Sequence, residues 1–396
     1  MKSLQHLYKI GIGPSSSHTM GPDFACTEIF KRHPNAQKFK VILYGSLCLT
    51  GKGHGTDEVI KKRLGKTTQI VFDDKTQGFK HPNAMDIIAI ENGNEYKYRV
   101  YSIGGGDIVF DGEKDPINLD VYELNTFSDI KDYCKKNKIS IPEYVYLKEP
   151  DIKEYLYKIW DTMKKAVERG LAADGILPGC LNVQRKAKIL YNSQKSGESE
   201  TRKENRLVCS YAYAVAEENA SYGLIVTAPT CGASGVIPAV LYYMCKNKGY
   251  TEDKIIDALA TAGIVGNLIK TNASISGAEC GCQAEIGSAC SMAAAGLAQL
   301  TEMNLDQIEY SAEVAMEHHL GLTCDPVCGL VQIPCIERNA VAAMRAINAV
   351  NIADFLTNTR KVSLDTIINT MYQTGKDMSS LYRETSQGGL AKTYKR

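Results

Sequence analysis

The stretch ASISGAECGCQAEIGSACSMAAAGLAQL, residues 273–300, consists largely of alanine, glycine, serine and cysteine. The side chains at a helix contact set the distance between the two helix axes, so small side chains allow a close approach. A helix of this composition is suited to the centre of a bundle. We therefore predict that this segment is central and that other helices surround it.

The sequence on both sides of this segment has helical periodicity, with apolar residues three and four positions apart. Thr251 is suited to cap one of these helices, with Glu252 and Asp253 at the positive end of the helix dipole. The charged segment NSQKSGESETRKEN (192–205) has almost no apolar residue and predicts an exposed loop. We expect residues 151–396 to form an all-α domain. The helical runs are DIKEYLYKIWDTMKKAVERGL (151–171), CSYAYAVAEENA (209–220), VIPAVLYYMCKN (236–247), TEDKIIDALATAGIVGNLIK (251–270), QIEYSAEVAMEHHL (307–320) and ERNAVAAMRAINAVNIADFL (337–356).

The first part of the chain has a different pattern. Between Phe39 and Phe110, short β-type runs alternate with glycine, proline and charged residues; they are FKVILYGSLCL, TTQIVF, AMDIIAI and YKYRVYSI. Helical spacing appears before them in EIFKRH and after them in FSDIKDYCKKN. The predicted fold class is thus an α+β N-terminal domain, residues 1–145, followed by an all-α C-terminal domain.

Composition excludes several classes of function. The 396 residues are 44% hydrophobic, and 46 Lys and Arg balance 45 Asp and Glu, so no strong field favours nucleic acid or an anionic membrane. The sequence has neither a signal-peptide pattern nor an uncharged apolar run of about 18 residues. We expect a cytoplasmic protein with small-molecule or protein partners.

The cysteines are unevenly distributed. There are 13 of them, too few for a disulfide scaffold in a chain of this length, which favours thiols or metal ligands. The spacing of Cys282, Cys324 and Cys335 matches neither a zinc CxxC pair nor a ferredoxin run. Spacing alone leaves open whether these three bind metal or are small buried hydrophobic residues. Six cysteines fall in one part of the C-terminal half: Cys280, Cys282, Cys290, Cys324, Cys328 and Cys335.

Two glycine-rich segments carry histidine. In GIGPSSSHTMGP (11–22), Ser16 stands where a dinucleotide fingerprint needs its third glycine, and GSLCLTGKG (45–53) has the wrong spacing for a P-loop. Hydroxyls, backbone N–H groups and the His18 imidazole could instead form a cradle for a carboxylate. The alternative is a capped turn at the start of a helix. His54 in GKGHGTD is likewise either a turn residue or part of a site.

Taken together, these segments resemble the iron-sulfur-dependent bacterial L-serine dehydratases, also called L-serine ammonia-lyases. The resemblance runs along nearly the whole chain, in the same order as in the family. It rests on GIGPSSSHTMGP, YGSLCLTGKGHGTD, YSIGGG, LPGCLNVQRKA, TAPTCGASGVIPAVL, KTNASISGAECGCQAEIGSACSMAAAGL, EHHLGLTCDPVCGLVQIPCIERNA and ETSQGGLA.

The resemblance implies a four-iron four-sulfur (4Fe-4S) cluster held by Cys282, Cys324 and Cys335, with the active site between the two domains. It implies a homodimer and a small amino-acid substrate, L-serine, which loses water by β-elimination without pyridoxal phosphate. An iron that lacks a protein ligand would act as a Lewis acid on the departing hydroxyl. Removal of the α-proton requires a base.

The resemblance also assigns roles to individual residues. His18 or His54 would be the base, and the choice between them stays open. Arg338 would orient the substrate, or alternatively pair with Glu337 or Asp325. Ser16 is a further candidate catalytic residue. The remaining candidate substrate-contacting residues are Ser15, Ser17, Thr19, Lys270, Asn272 and Ser274.

Some positions depart from the family pattern. Cys231 replaces an asparagine in TAPTNG, which raises L-threonine or L-cysteine as alternative substrates. Cys280 and Cys328 are further differences. The sequence ends GGLAKTYKR, without the terminal cysteine common in the family. A cluster-binding sensor without catalysis is therefore the other alternative, although the intact SSSHT and GKGH segments oppose it.

Overall fold

The computed structural model describes residues 1–113, 120–356 and 359–395. An N-terminal region that contains a β-sheet precedes a largely helical region, which confirms the predicted fold class. The strands are β1 Ile10–Ile12, β2 Lys38–Tyr44, β3 Gln69–Asp73, β4 Ala84–Glu91, β5 Asn94–Gly104, β6 Asp107–Phe110 and β7 Leu224–Val226. The helices are α1 Gly21–Arg32, α2 Gly45–Thr50, α3 Thr56–Leu64, α4 Phe127–Asn137, α5 Ile141–Lys148, α6 Ile152–Ala172, α7 Ala187–Asn192, α8 Glu200–Ala220, α9 Val236–Lys248, α10 Glu252–Asn272, α11 Gly277–Cys280, α12 Ser288–Leu300, α13 Leu305–Glu317, α14 Cys335–Leu356, α15 Leu364–Asp377 and α16 Gly389–Thr393.

The described part of the N-terminal region contains a five-stranded sheet with strand order β3-β2-β4-β5-β6. Strands β2 and β3 are parallel, and the other neighbours are antiparallel. The buried residues of β2, β4 and β5 form an apolar core with α1 and α3, because alternate strand residues point to the same face. This packing holds the segments before α1 and between α2 and α3, which carry the two histidines.

The small-residue segment lies inside the helical region, as its composition predicts. Nearly every residue of α12 is buried, and α9, α10, α13 and α14 pack around it. The same core takes in Leu4, Leu7 and Tyr8 near the N-terminus and residues of α4 and α5. The ends of the N-terminal region thus pack with the helices, and the domain limits 1–145 and 151–396 stay a prediction.

Two local expectations are met only in part. Thr251 is the N-cap residue of α10, with Glu252 and Asp253 in the first turn as predicted, but its side chain makes no capping hydrogen bond. The segment 192–205 is not a loop throughout, because α8 begins at Glu200 with Ser199 as its N-cap. Within the described ranges, none of the helices combines the length and the apolar character that a membrane crossing needs.

A buried charge cluster joins the sheet to the helical region. The Asp107 carboxylate, at the start of β6, binds the ammonium groups of Lys9 and Lys270, and each of the three side chains is at most 16% exposed. Burial opposes ionisation of Asp107, but contacts with His6, Lys270 and Lys9 hold its pKa well below the usual range. Lys270 also donates to the His6 carbonyl oxygen (2.8 Å).

Replacing Asp107 by asparagine should therefore destabilise the protein. The variant would leave two buried ammonium groups without their carboxylate, and breaking one side of a buried ion pair costs about 3–5 kcal/mol. Chemical denaturation monitored by circular dichroism checks this expectation. Asp111→Asn is the control, because Asp111 pairs with the exposed Lys80 and its loss should leave the midpoint unchanged. Equal midpoints for both variants would contradict the assigned role of Asp107.

Candidate active site

His18 is fixed by hydroxyl groups on both of its ring nitrogens. It lies in a π-helical turn, Ser16–Met20, which leads directly into α1. Ser17 Oγ lies 2.9 Å from Nδ1, and Ser46 Oγ lies 3.1 Å from Nε2. The Ser46 hydroxyl donates its only proton to the Glu384 carbonyl oxygen (2.9 Å), so it must accept from Nε2–H of a neutral His18. Nδ1 then accepts from Ser17.

His54 has one free ring nitrogen. It lies between α2 and α3, and its Nδ1 is 2.9 Å from the Thr50 carbonyl oxygen. A carbonyl oxygen only accepts, so the ring proton of neutral His54 is on Nδ1 and the Nε2 lone pair is free. Nε2 is buried and has no hydrogen-bond partner among the described residues. The two imidazoles are stacked at a tilt, with ring centroids 4.5 Å apart.

Burial keeps both histidines neutral. It lowers the pKa of His54 to about 4. It also lowers the pKa of His18 well below its usual value, and the neighbouring His54 and His81 lower it further. Both rings are therefore uncharged near pH 7, and His54 Nε2 can accept a proton there.

The serines of the first segment have different functions. Ser15 caps the π-helical turn, because its hydroxyl accepts the His18 N–H (3.1 Å). Ser17 binds the His18 ring, and Thr19 donates to the His54 carbonyl oxygen (2.9 Å), which connects the two histidine segments. The Ser16 hydroxyl makes no hydrogen bond to the described residues and is available for a ligand. The two interpretations of this segment are therefore compatible, because the capped turn itself carries the residues of the candidate site.

The predicted cysteine ligands come from three separate segments and are brought together. Cys282 directly precedes a π-helical turn before α12, Cys324 follows α13, and Cys335 is the first residue of α14. Burial raises the pKa of each thiol, to about 11 for Cys282. The neighbouring Cys282 and Cys335 thiols raise the pKa of Cys324 further, which reflects their proximity.

Arg338 lies beside this cysteine group. Its guanidinium donates to the Thr323 carbonyl oxygen (2.6 Å) and lies 3.6 Å from Asp325. Burial opposes its charge, but the neighbouring Cys282 and Cys335 raise its pKa. Arg338 therefore has the structural partner Asp325 that the sequence allowed, while Glu337 pairs with Lys186 instead.

The cysteine group faces the histidine segments across a tight junction. A Cβ atom on Gly53 would lie 2.6 Å from the Gly329 carbonyl oxygen, so only glycine permits this approach. Gly53 precedes His54, and Gly329 lies in the turn between Cys324 and Cys335. A second link is Ser46, which bonds both His18 and the Glu384 backbone.

Two glutamates that the sequence did not predict complete the group: Glu384, which is buried, and Glu285, which is partly buried. Glu384 Oε1 lies 3.4 Å from His18 Nδ1 and 4.0 Å from His54 Nε2. Its N–H donates to the Cys324 carbonyl oxygen (2.8 Å). Glu285 Oε2 lies 3.9 Å from Cys324 Sγ. Burial raises the pKa of both carboxyls, to about 7 for Glu285, and Glu285 raises that of Glu384 further.

His81 is a partly buried histidine near His18 that the sequence did not predict as a site residue. Its Nδ1 accepts the Asn83 N–H (3.1 Å), and its buried Nε2 has no partner among the described residues. Burial lowers its pKa. It stands in the sequence HPN before β4, where the proline and asparagine signal only a turn.

Three predicted substrate residues are engaged elsewhere. Lys270 is bound to Asp107 in the charge cluster. Asn272 is exposed and donates to the Asn125 carbonyl oxygen (2.6 Å). Ser274 is buried, and its hydroxyl accepts the Ser276 N–H (3.1 Å). Substrate contacts for these three residues stay predictions.

The donor set fits a cluster better than a single ion. Among residues 1–113, 120–356 and 359–395, no three His, Cys, Asp or Glu side chains converge closely enough to hold one metal ion. Cysteines that hold an iron-sulfur cluster bind separate irons and so lie farther apart. Three thiols on three segments, close enough to affect one another's pKa and beside the positive Arg338, are compatible with such a cluster.

Comparisons with known proteins identify the family of the chain. A model of the serine dehydratase alpha chain matches residues 57–391, and one of the serine dehydratase beta chain matches residues 3–64. The L-serine dehydratase of Haemophilus influenzae is 42% identical, with 99% of both chains covered. L-serine dehydratase 2 of Escherichia coli is 40% identical over 99% of this chain and 98% of its own.

These matches define the class as bacterial dehydratases, enzymes of the lyase type. The chain belongs to the L-serine dehydratase family and carries the alpha-type and beta-type regions on a single polypeptide.

Proposed function

We propose that this protein converts L-serine to pyruvate and ammonia with the help of a 4Fe-4S cluster. The observation that carries the proposal is that Glu384 lies beside two neutral histidines and also raises the pKa of Cys324, which is one of three neighbouring thiols from separate segments. The names of the relatives support L-serine as the substrate. In the overall reaction the α-carbon loses a proton and the β-carbon loses hydroxide, which together form water. The resulting 2-aminoacrylate tautomerises to an imine, which water hydrolyses to pyruvate and ammonium.

Cys282, Cys324 and Cys335 would hold the cluster, and Arg338 would balance its negative charge. When bound, a cluster with three protein ligands supplies one open iron as a Lewis acid for the hydroxyl. The burial of Cys282 and Cys324 and the partial burial of Cys335 restrict the access of solvent to the group.

His54 is the general base in this proposal. Both nitrogens of neutral His18 are occupied by serine hydroxyls, whereas Nε2 of His54 is unprotonated and free. His54 therefore takes the α-proton, and His18 positions the segment that carries Ser16. The Ser16 hydroxyl and nearby backbone N–H groups are suited to hold the substrate carboxylate.

This assignment predicts the acidic limb of the pH profile. The base works only when neutral, so kcat/KM should be lost as the pH falls through the pKa of His54, about 4, rather than near the usual histidine value of about 6.5. The profile should be measured with circular dichroism at each pH to separate acid unfolding from titration. The carboxyls of Glu285 and Glu384 also titrate, because burial raises the pKa of Glu285 to about 7 and that of Glu384 above its usual value. An acidic limb centred near pH 6.5 in folded protein that persists in Glu285→Gln and Glu384→Gln would contradict a buried, neutral His54.

The proposed activity is tested with anaerobically reconstituted protein. Broad visible absorption and release of pyruvate from L-serine are expected, and exposure to air should abolish both. Parallel assays with L-threonine and L-cysteine test the alternatives that Cys231 raised. A coloured protein inactive on all three substrates would favour a sensor, and colourless, inactive protein would reject the proposal. Size-exclusion chromatography tests the homodimer, and cell fractionation tests the cytoplasmic location.

A further inference from the structure

The candidate site contains two carboxyl groups for which the protein supplies no ion-pair partner. Glu384 is buried and Glu285 is partly buried, and both lie close to Cys324. No lysine or arginine of the described residues lies within the 4.0 Å ion-pair distance of either carboxylate. Buried charges in proteins are normally paired, because an isolated buried charge is very costly. Arg338, the cation beside the cysteine group, pairs with Asp325 rather than with these two carboxyls, so neither of them has an ion-pair partner.

The two histidines supply neither a positive charge nor a hydrogen-bond donor to Glu384. In the neutral form derived above, His18 Nδ1 and His54 Nε2 both present lone pairs, and these are the two atoms that face Glu384 Oε1. A lone pair cannot donate to a carboxylate. Oε2 of Glu384 is buried and has no hydrogen-bond partner among the described residues.

Gly277 leaves room for the carboxylate of the second glutamate, Glu285. A Cβ atom on Gly277 would lie 2.7 Å from Glu285 Oε2 and 3.1 Å from Cys324 Sγ. The glycine lets the carboxylate and the thiol lie side by side. Both glutamates thus border the place where a ligand would contact the histidines and the cysteine group.

We propose that Glu384, assisted by the negative charge of Glu285, binds the α-ammonium group of the substrate and makes the enzyme selective for amino acids over hydroxy acids. The inference rests on the proposed function and adds the group that recognises the amine. An ammonium group brings one positive charge and three N–H donors. Bound at Glu384, it places the neighbouring Cα–H close to His54 Nε2.

Glu384→Gln tests the inference because it preserves the shape of the side chain but removes the charge. L-glycerate is the matched probe, since it replaces only the ammonium group of L-serine with a hydroxyl. The variant should raise KM for L-serine by about 10–100-fold and leave the inhibition constant of L-glycerate within about 3-fold. Glu279→Gln is the control, because Glu279 already pairs with Lys376, and both constants should stay near wild type.

The outcomes separate this inference from the proposed function. Wild-type protein that is inactive on L-serine rejects the function. An active wild type rejects the ammonium site if Glu384→Gln leaves KM unchanged, weakens both ligands equally, or lowers only kcat. If the variant fails to fold, calorimetry on wild type decides: L-alanine should bind at least about 10-fold more tightly than L-lactate. Equal affinities would overturn the inference. Glu285→Gln should show the same change in selectivity with a smaller magnitude.

Discussion

His54→Ala should lower kcat/KM for L-serine by about 10²–10⁴-fold, the range that general acid–base catalysis contributes. The physical reason is the free lone pair on Nε2, whose orientation is fixed by the Nδ1 contact with Thr50. No other ring nitrogen of the stacked histidine pair is free. The iron content and visible absorption of the variant should match wild type, because His54 is not a proposed ligand. Steady-state pyruvate release and iron analysis together measure both effects.

A matched control is available in the sheet region. His33 is also buried, but its ring binds Glu91 and Tyr98 and lies outside the candidate site. His33→Gln should keep kcat/KM within about 3-fold of wild type, because no group near the reacting atoms changes. An equal loss in both variants would point to destabilisation, and a fully active His54→Ala would remove His54 as the base.

Replacing Cys282, Cys324 or Cys335 by serine should abolish activity and remove most of the bound iron. Each residue would supply one of three protein ligands, so its loss leaves two, and thiolates are much better ligands for iron-sulfur clusters than hydroxyls. The three variants should therefore resemble each other. Visible absorption, iron and sulfide content, and pyruvate release after anaerobic reconstitution measure the effect.

Cys290→Ala serves as the control for these variants. Cys290 is buried in α12, in the same helical region, and its thiol contacts the Ala342 carbonyl oxygen. Its loss should leave iron content unchanged and cause only a modest loss of stability from the small cavity. Iron retention by the serine variants, or iron loss by Cys290→Ala, would contradict the proposed ligand set.

The sequence predicted the parts of the fold that depend on repeated local patterns. Alternating and helical periodicities extend over many residues, and the small side chains of α12 directly permit the close packing observed. The sequence also predicted Thr251 as the N-cap of α10, but the capping hydrogen bond depends on a single side-chain rotamer and is absent. The start of α8 at Glu200 was not predicted, because the first residues of this helix are charged and lack the apolar spacing that indicates a helix.

The candidate site was predictable only where residues of distinctive chemistry stand in distinctive segments. His18, His54 and the cysteines meet this condition. Glu384 and Glu285 do not, because a glutamate in a sequence is ordinarily an exposed residue, and burial beside a thiol follows only from tertiary contacts. Glu384 lies in ETSQGGLA and Glu285 lies in CGCQAEIG, two segments that carry the family resemblance. Their position in these segments was the one signal in the sequence that could have identified them. Lys270, in contrast, was predicted to contact the substrate but pairs with Asp107. Nothing in the sequence indicated this pairing, because the two residues are far apart in the chain.

The central claim is that three cysteines hold an iron cluster next to His54. Anomalous diffraction at the iron edge from anaerobically reconstituted crystals tests it most directly. The account predicts one compact peak of about four irons, bounded by the Sγ atoms of Cys282, Cys324 and Cys335 and facing His54 Nε2. An iron signal away from these sulfurs, or active crystals without iron, would contradict it.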